Sequence, residues 1–183
     1  WWVQDFSSML PLHLSPEIRF KKVLDMCAAP GGKAFQAISL NNNVTLNDIN
    51  LKRTITLTTN LKRLNFSNNI KNYNALNFPE DEKFDVIVLS NIVGCLDDIQ
   101  SVFNELHKVC HERTRIIVTY YNYIWEPIIK FGEALGLKKK MPIQNWLSHH
   151  DIINLLYLSG FETYKMQRRI LLPYNIPLLA FVL

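Results

Sequence analysis

The chain has 183 residues, of which 48% are hydrophobic and 20% charged, with a formal net charge of +4. A chain of that length and composition is one globular domain burying about 70% of its unfolded surface, which excludes a disulfide-stapled miniprotein, a collagen-like rod and a solvating tail. The charge permits nucleic acid or acidic partners without demanding them, and it is not the dense basic stripe of a dedicated nucleic-acid binder.

After a lead-in segment over 1–20, the pattern predicts a buried strand over Lys21–Cys27, a turn over Ala28–Lys33 and a helix to about Leu40. A second strand is expected over Val44–Ile49. A helix follows over Leu51–Leu64, its apolar face supplied by Leu51, Ile55, Leu57, Leu61 and Leu64. A third, short strand covers Ile70–Ala75, and a fourth Phe84–Ser90. A helix from about Asp98 to Val109 leads to a fifth strand, Arg115–Tyr120. Ile124–Leu135 reads as a helix with Pro127 in its first turn, and Ser148 caps another over Asp151–Ser159, stopped by Gly160. Strands Phe161–Leu172 and Leu178–Leu183 close the chain. This alternation predicts an α/β fold: one Rossmann-like domain over 21–183, seven strands, mostly parallel, with a C-terminal antiparallel hairpin. Ligands of such sheets lie beyond the carboxyl ends of the strands, near the switch in strand order.

The strongest local signal is Asp25-Met26-Cys27-Ala28-Ala29-Pro30-Gly31-Gly32-Lys33. A strand runs into small residues and paired glycines, then a helix. Small side chains let a ligand lie against the backbone, and the helix start offers unpaired N–H groups. Asp48 then ends the second strand, where a carboxylate accepts both ribose hydroxyls of a nucleoside. The glycines do not form G-x-G-x-x-G and no Ser or Thr follows Lys33, which disfavours a dinucleotide enzyme and a P-loop NTPase.

Asp25–Lys33, the Asn47-Asp48-Ile49-Asn50 strand end, the lysine- and arginine-bearing helix after it and the lead-in Trp2-Val3-Gln4-Asp5 closely resemble the RNA cytosine-5 methyltransferases of the NOL1/NOP2/Sun group. The resemblance covers about 2–76 and implies a class I methyltransferase fold with S-adenosylmethionine as cofactor. It places Pro30, Gly31 and Lys33 on the methionine side and Asp48 on the ribose, with Asn74 where the group usually carries an aspartate near the adenine. Asp25, Cys27, Ala28, Ala29, Gly32, Ile49, Ala75 and Ser90 complete the expected cofactor set. No metal is expected.

The acceptor side departs from that group. Cytosine C5 is a poor nucleophile until a thiolate adds to C6, so a positioned cysteine is needed. The group carries an aspartate and then Pro-Cys after the fourth strand, and another cysteine after the fifth. Here Ser90 stands for the aspartate, Ile92-Val93 for Pro-Cys, and Thr119-Tyr120-Tyr121-Asn122 holds no cysteine. Cys95 lies two positions late, either a nucleophile or a small hydrophobe. From Phe84 onward the chain is similar instead to small-molecule (type 11-like) class I methyltransferases.

An O- or N-nucleophile acceptor benefits from a general base. His149 and His150 suit that role by type, or are polar residues at a helix start. His107 and His111 read as solvated. Tyr120, Tyr121, Asn122 and Trp125 form an acceptor pocket or strand-to-helix packing; Gln144-Asn145-Trp146 touches the acceptor or fixes the loop. The basic clusters Lys52-Arg53, Lys62-Arg63, Lys138-Lys139-Lys140 and Arg168-Arg169 track phosphates or are scattered solvated charge. Cys27, Cys95 and Cys110 form no CxxC pair, so a reducing, cytoplasmic setting is expected. No run of about 18 uncharged apolar residues occurs, so no membrane span is expected. The start Trp1-Trp2, without Met or signal pattern, reads as a fragment or excised domain. The leading expectation is S-adenosylmethionine-dependent methyl transfer to an O- or N-nucleophile of a small molecule or a glycan- or lipid-linked acceptor. RNA cytosine-5 methylation, and a non-catalytic subunit of the same fold, are the alternatives.

Overall fold

The computed structural model describes residues 1–4, 6–15, 17–79, 81–121, 123–137 and 145–167. Five strands, β1 (Lys22–Asp25), β2 (Asn43–Asn47), β3 (Ile70–Lys71), β4 (Phe84–Ser90) and β5 (Cys110–Thr119), form one sheet in the order β3-β2-β1-β4-β5. Every pairing is parallel, and Asp25 is in register with Leu46 of β2 and Val88 of β4. Helices α1 (Phe6–His13), α2 (Gly32–Ser39), α3 (Leu51–Arg63), α4 (Ile99–Leu106), α5 (Glu126–Ala134) and α6 (His149–Leu158) complete the domain.

The two-residue period of the strands divides the core. Val23, Val44, Leu46, Val86 and Val88 face one side, packed with Ala34, Phe35, Leu57 and Leu61 of α2 and α3. Leu24, Ile87 and Leu89 face the other, with Val102, Phe103 and Leu106 of α4 and Ile152 of α6. Helices therefore cover both faces, as parallel sheets require. Strand order reverses between β1 and β4, which opens the crevice at their carboxyl ends. Among the described residues no helix is long and apolar enough to cross a membrane.

Several predicted bounds move, each for a local reason. β1 stops at Asp25 rather than Cys27, because the Asp25 carboxylate accepts the Cys27 N–H at 3.2 Å and turns the chain. β3 ends at Lys71 rather than Ala75; Asn74 Oδ1 accepts the Leu76 N–H at 3.1 Å and starts a 3-10 turn, Ala75–Asn77. β5 begins at Cys110 rather than Arg115, with an irregular register opposite Phe84 and Val86. α5 begins at Glu126, after a short turn over Tyr123–Trp125, and keeps Pro127 in its first turn. α6 begins at His149, one residue after its cap Ser148, whose hydroxyl and the Asp151 carboxylate form a capping box.

The predicted face of α3 is corrected. Thr54, Leu57 and Leu61 are buried and Leu64 is half-buried, whereas Leu51 and Ile55 are exposed. At about 100° per residue, Leu51 and Ile55 lie about 60° and about 100° outside the arc that the other four share. The lead-in contains an unpredicted helix, α1, packed on α2. Of the predicted C-terminal hairpin, 161–167 carry no strand, and 168–183 lie outside the described residues. The described sheet is thus five-stranded and wholly parallel.

Candidate cofactor and acceptor site

The chain leaving β1 stays between its neighbours. Met26 N–H donates to Val88 O at 3.0 Å and Ala28 N–H to Asn47 O at 2.9 Å. Ala28 and Ala29 are buried, the Ala29–Pro30 peptide is cis, and Gly31 has φ +122° as the residue before α2. Only glycine adopts that φ readily. A Cβ on Gly31 would also sit 1.9 Å from the Phe35 ring. Lys33, in the first turn of α2, donates to the Ser8 hydroxyl at 3.0 Å and so ties the turn to α1.

Asp48 lies beyond the end of β2 beneath this turn. Its Oδ2 accepts the Ala29 N–H at 3.2 Å, and its Oδ1 accepts the Asn50 N–H at 3.0 Å. The Asn50 side chain in turn caps α3 by accepting the Lys52 and Arg53 N–H groups. Arg53 reaches back from α3: its guanidinium donates to Ala29 O, lies 3.5 Å from Asp48 Oδ2 and approaches Cys27 Sγ at 3.8 Å. One turn-pair further along α3, Asn60 donates to Pro30 O at 3.1 Å. With Cys27 Sγ also 3.9 Å from Oδ2 and the side chain 1% exposed, the Asp48 carboxylate is a buried brace of the turn.

These contacts show that Arg53, although 46% exposed, also holds the turn. They also add Asn60, which sequence reasoning missed. The signal was a seven-residue spacing, which puts Arg53 and Asn60 on one side of α3 two turns apart.

Burial dominates the titration of this region. It pushes the Asp25 carboxyl up to about 6, against the lowering effect of the Cys27 N–H and the Lys33 charge. It also pushes the Cys27 thiol up to about 11, with Arg53 opposing. Cys27 is therefore a packed thiol rather than a nucleophile.

At the tip of β2, Asn47 accepts the Tyr73 N–H at 2.9 Å and donates to Tyr73 O at 3.0 Å. That exchange presents Asn74, exposed, and Ala75, buried, next to the β2 tip, where Ile49 is also exposed. Ser90, buried at the end of β4, is 3.1 Å from the Thr119 hydroxyl of β5. The predicted cofactor residues thus cluster at the tips of β1, β2, β3 and β4.

The catalytic candidates divide. Cys95 is exposed and ends a 3-10 turn, Val93–Cys95, in the loop after β4. Tyr121 is half exposed in the loop after β5. The segment leading to α6 runs between these loops, with Asn145 N–H donating to Gly94 O at 2.7 Å and Tyr123 N–H to Leu147 O at 3.3 Å. His149 and His150 lie inside the first turn of α6, ring centroids 3.9 Å apart, rather than ahead of the helix. His107 and His111, expected to be solvated, have partners: His107 Nε2 is 2.6 Å from Ser159 O and its ring stacks on Phe161, and His111 Nε2 is 3.2 Å from Asp85 Oδ1. Asn122, Gln144, Lys138–Lys140 and Arg168-Arg169 lie outside the described residues.

Residues 11–95 match the family model described as 16S rRNA methyltransferase RsmB/F. Among curated proteins, the human 28S rRNA (cytosine(4447)-C(5))-methyltransferase is 37% identical over 82 residues, which is 43% of this chain and 10% of that protein. The chain spans a tenth to a fifth of the length of the curated relatives it matches. Two solved structures share its fold over most of the chain. The PH0226 protein from Pyrococcus horikoshii OT3 has a TM-score of 0.71 at 19% identity, covering 85% of this chain and 83% of its own. A SAM-dependent methyltransferase from Methanosarcina mazei has a TM-score of 0.68 at 15% identity, covering 81% and 83%. The chain therefore has the fold of class I S-adenosylmethionine-dependent methyltransferases, and its first half resembles the RNA cytosine-5 methyltransferases of the NOL1/NOP2/Sun group.

Proposed function

We propose that the chain binds S-adenosylmethionine in the crevice between β1, β2 and β4 and transfers its methyl group to RNA. One observation carries this reading: the matched stretch, 11–95, contains every cofactor-side residue from Asp25 to Ser90. The residues present fit the cofactor. Ala28, Ala29 and Gly31 put no large side chain at the tips of β1 and β2, and Asp48 stands at the strand tip where ribose hydroxyls would lie. In this reading Pro30, Gly31 and Lys33 line the methionine side, Asp48 holds the ribose, and Ile49, Asn74 and Ala75 flank the adenine. The bound cofactor supplies a methyl already activated on a sulfonium, so the protein's task is to hold an acceptor in line about 3 Å away.

The comparisons favour RNA over the small-molecule acceptor expected from the second half of the sequence. For cytosine C5, Cys95 is the thiol available to add to ring C6. It is exposed, while burial raises the pKa of both Cys27 and Cys110. A second reading, transfer to an O- or N-nucleophile, is favoured by Ile92-Val93 in place of Pro-Cys and by the cysteine-free end of β5.

The first experiment is calorimetric titration of S-adenosylmethionine into the full chain and its Asp48→Ala variant. Binding weakened about tenfold to a hundredfold by the substitution is expected, the value of charge-assisted hydrogen bonds. No binding by the unaltered chain would make a scaffold the better reading. Methyl transfer to ribosomal RNA is then compared with Cys95→Ser. Loss of transfer supports cytosine-5 chemistry, and undiminished transfer leaves the O- or N-nucleophile reading.

A further inference from the structure

The segment that enters α6 is tied to the acceptor loop by one residue acting twice. Asn145 donates its backbone N–H to Gly94 O at 2.7 Å and its side-chain Nδ2 to Leu96 O at 2.6 Å. The two acceptors flank Cys95. Two residues later, Leu147 O accepts the Tyr123 N–H at 3.3 Å, on the loop that follows β5. The short stretch 145–147 is thus a strap across the carboxyl ends of β4 and β5, fastened on the far side by the Ser148 capping box of α6. α6 is itself anchored by Ile152 in the core and by packing on α4.

We propose that Asn145 is a positioning residue: it holds the Gly94–Leu96 turn so that the Cys95 thiol stays aimed at the acceptor. A 3-10 turn of three residues has few bonds of its own, and within this one the Cys95 N–H is taken by Ile92 O at 2.8 Å. The carbonyls on either side of Cys95 are fixed by Asn145, so the amide side chain and the backbone N–H together set the direction of the turn. The aim matters because a displacement of about 1 Å at a reacting atom costs about a hundredfold in rate. The part of the proposal that concerns catalysis rests on the methyl-transfer reading above, whereas the part that concerns the loop does not.

The test uses the full chain and three variants: Asn145→Ala, Asn145→Asp, which keeps the shape and loses the donor, and Asn145→Gln, which keeps the amide. Alkylation of Cys95 by iodoacetamide, read peptide by peptide, reports the loop directly. Loss of one hydrogen bond is expected to speed alkylation about tenfold in the Ala and Asp variants and less in Gln. Cofactor affinity should be unchanged, and in RNA methylation kcat should fall about tenfold or more with KM for the cofactor constant. Equal alkylation rates in all four proteins overturn the proposal. Transfer absent from every protein, together with faster alkylation in Ala and Asp, defeats the RNA reading and leaves Asn145 as the residue that holds the turn.

Discussion

Asp25 shows how burial converts a side chain into a pH-dependent contribution. It is 3% exposed and its carboxyl titrates at about 6, against 3.8 for the free group. The folded protein holds this proton more tightly than the unfolded chain, so Asp25 favours folding fully below pH about 4 and loses that contribution as pH rises to about 6. The span corresponds to about 3 kcal/mol. Urea midpoints measured from pH 4 to 7 should therefore fall more steeply for the natural protein than for Asp25→Asn, whose amide oxygen still accepts the Cys27 N–H. Parallel profiles would show that Asp25 ionises freely. The placement of Asp25, the paired glycines and Asp48 at neighbouring strand tips was legible in the sequence because it depends on local order: strand, small residues, helix start, next strand tip. The partner of Arg53 was not, being 24 residues away, whereas Asn145 was read as touching the acceptor or fixing the loop, and its bond to Leu96 O fits the second.

Among the elements, α3 separates what periodicity shows from what it hides. Its bounds were readable to within a residue, Leu51–Leu64 against the observed Leu51–Arg63, with Lys62 and Arg63 near the negative end of the dipole. Its buried side was not, because apolar residues occur around about half of the helix and Thr54, rather than Leu51, turns inward. Leu57→Ala is expected to cost about 2–5 kcal/mol in chemical denaturation, as a core truncation. Leu51→Ala, at a position 66% exposed, should stay within about 0.5 kcal/mol. Equal effects would restore the face inferred from the pattern. β3 was overextended for a related reason: Ile70 to Ala75 is a plausible strand by composition, but the Asn74 side chain competes with the ladder and ends it.

At the scale of the whole molecule, the parallel order and the helices on both faces were readable from alternating strands and helices, and the crevice follows from the order reversal. What joins the two ends of the second half was not. The helix-to-helix joint is made by His107, after α4, whose ring stacks on Phe161 at 4.2 Å and meets Ser159 O just beyond α6. A histidine on a surface helix gives no sequence sign of a partner 52 residues later. His107→Ala should leave hydrogen exchange in β1 and β4 unchanged and speed exchange in α6 about tenfold, the value of one lost hydrogen bond and stack. A uniform change across sheet and helix would instead make the joint part of the global core. Because α6 also carries the strap at its entry, this joint and the acceptor loop belong to one continuous lever along the helix.

The closeness of Gly31 to the Phe35 ring restricts the order in which this turn can change over generations. Position 31 is closed twice, once by the ring and once by its own backbone angle. Trimming Phe35 removes the first obstacle at the cost of a core cavity, and that vacancy spreads to Trp2 and Phe66, which meet the same ring. The second obstacle stays. Helix α2 therefore has a route for drift at position 35, whereas the glycine before it has none, and the two sites should show a one-way dependence rather than a reciprocal exchange.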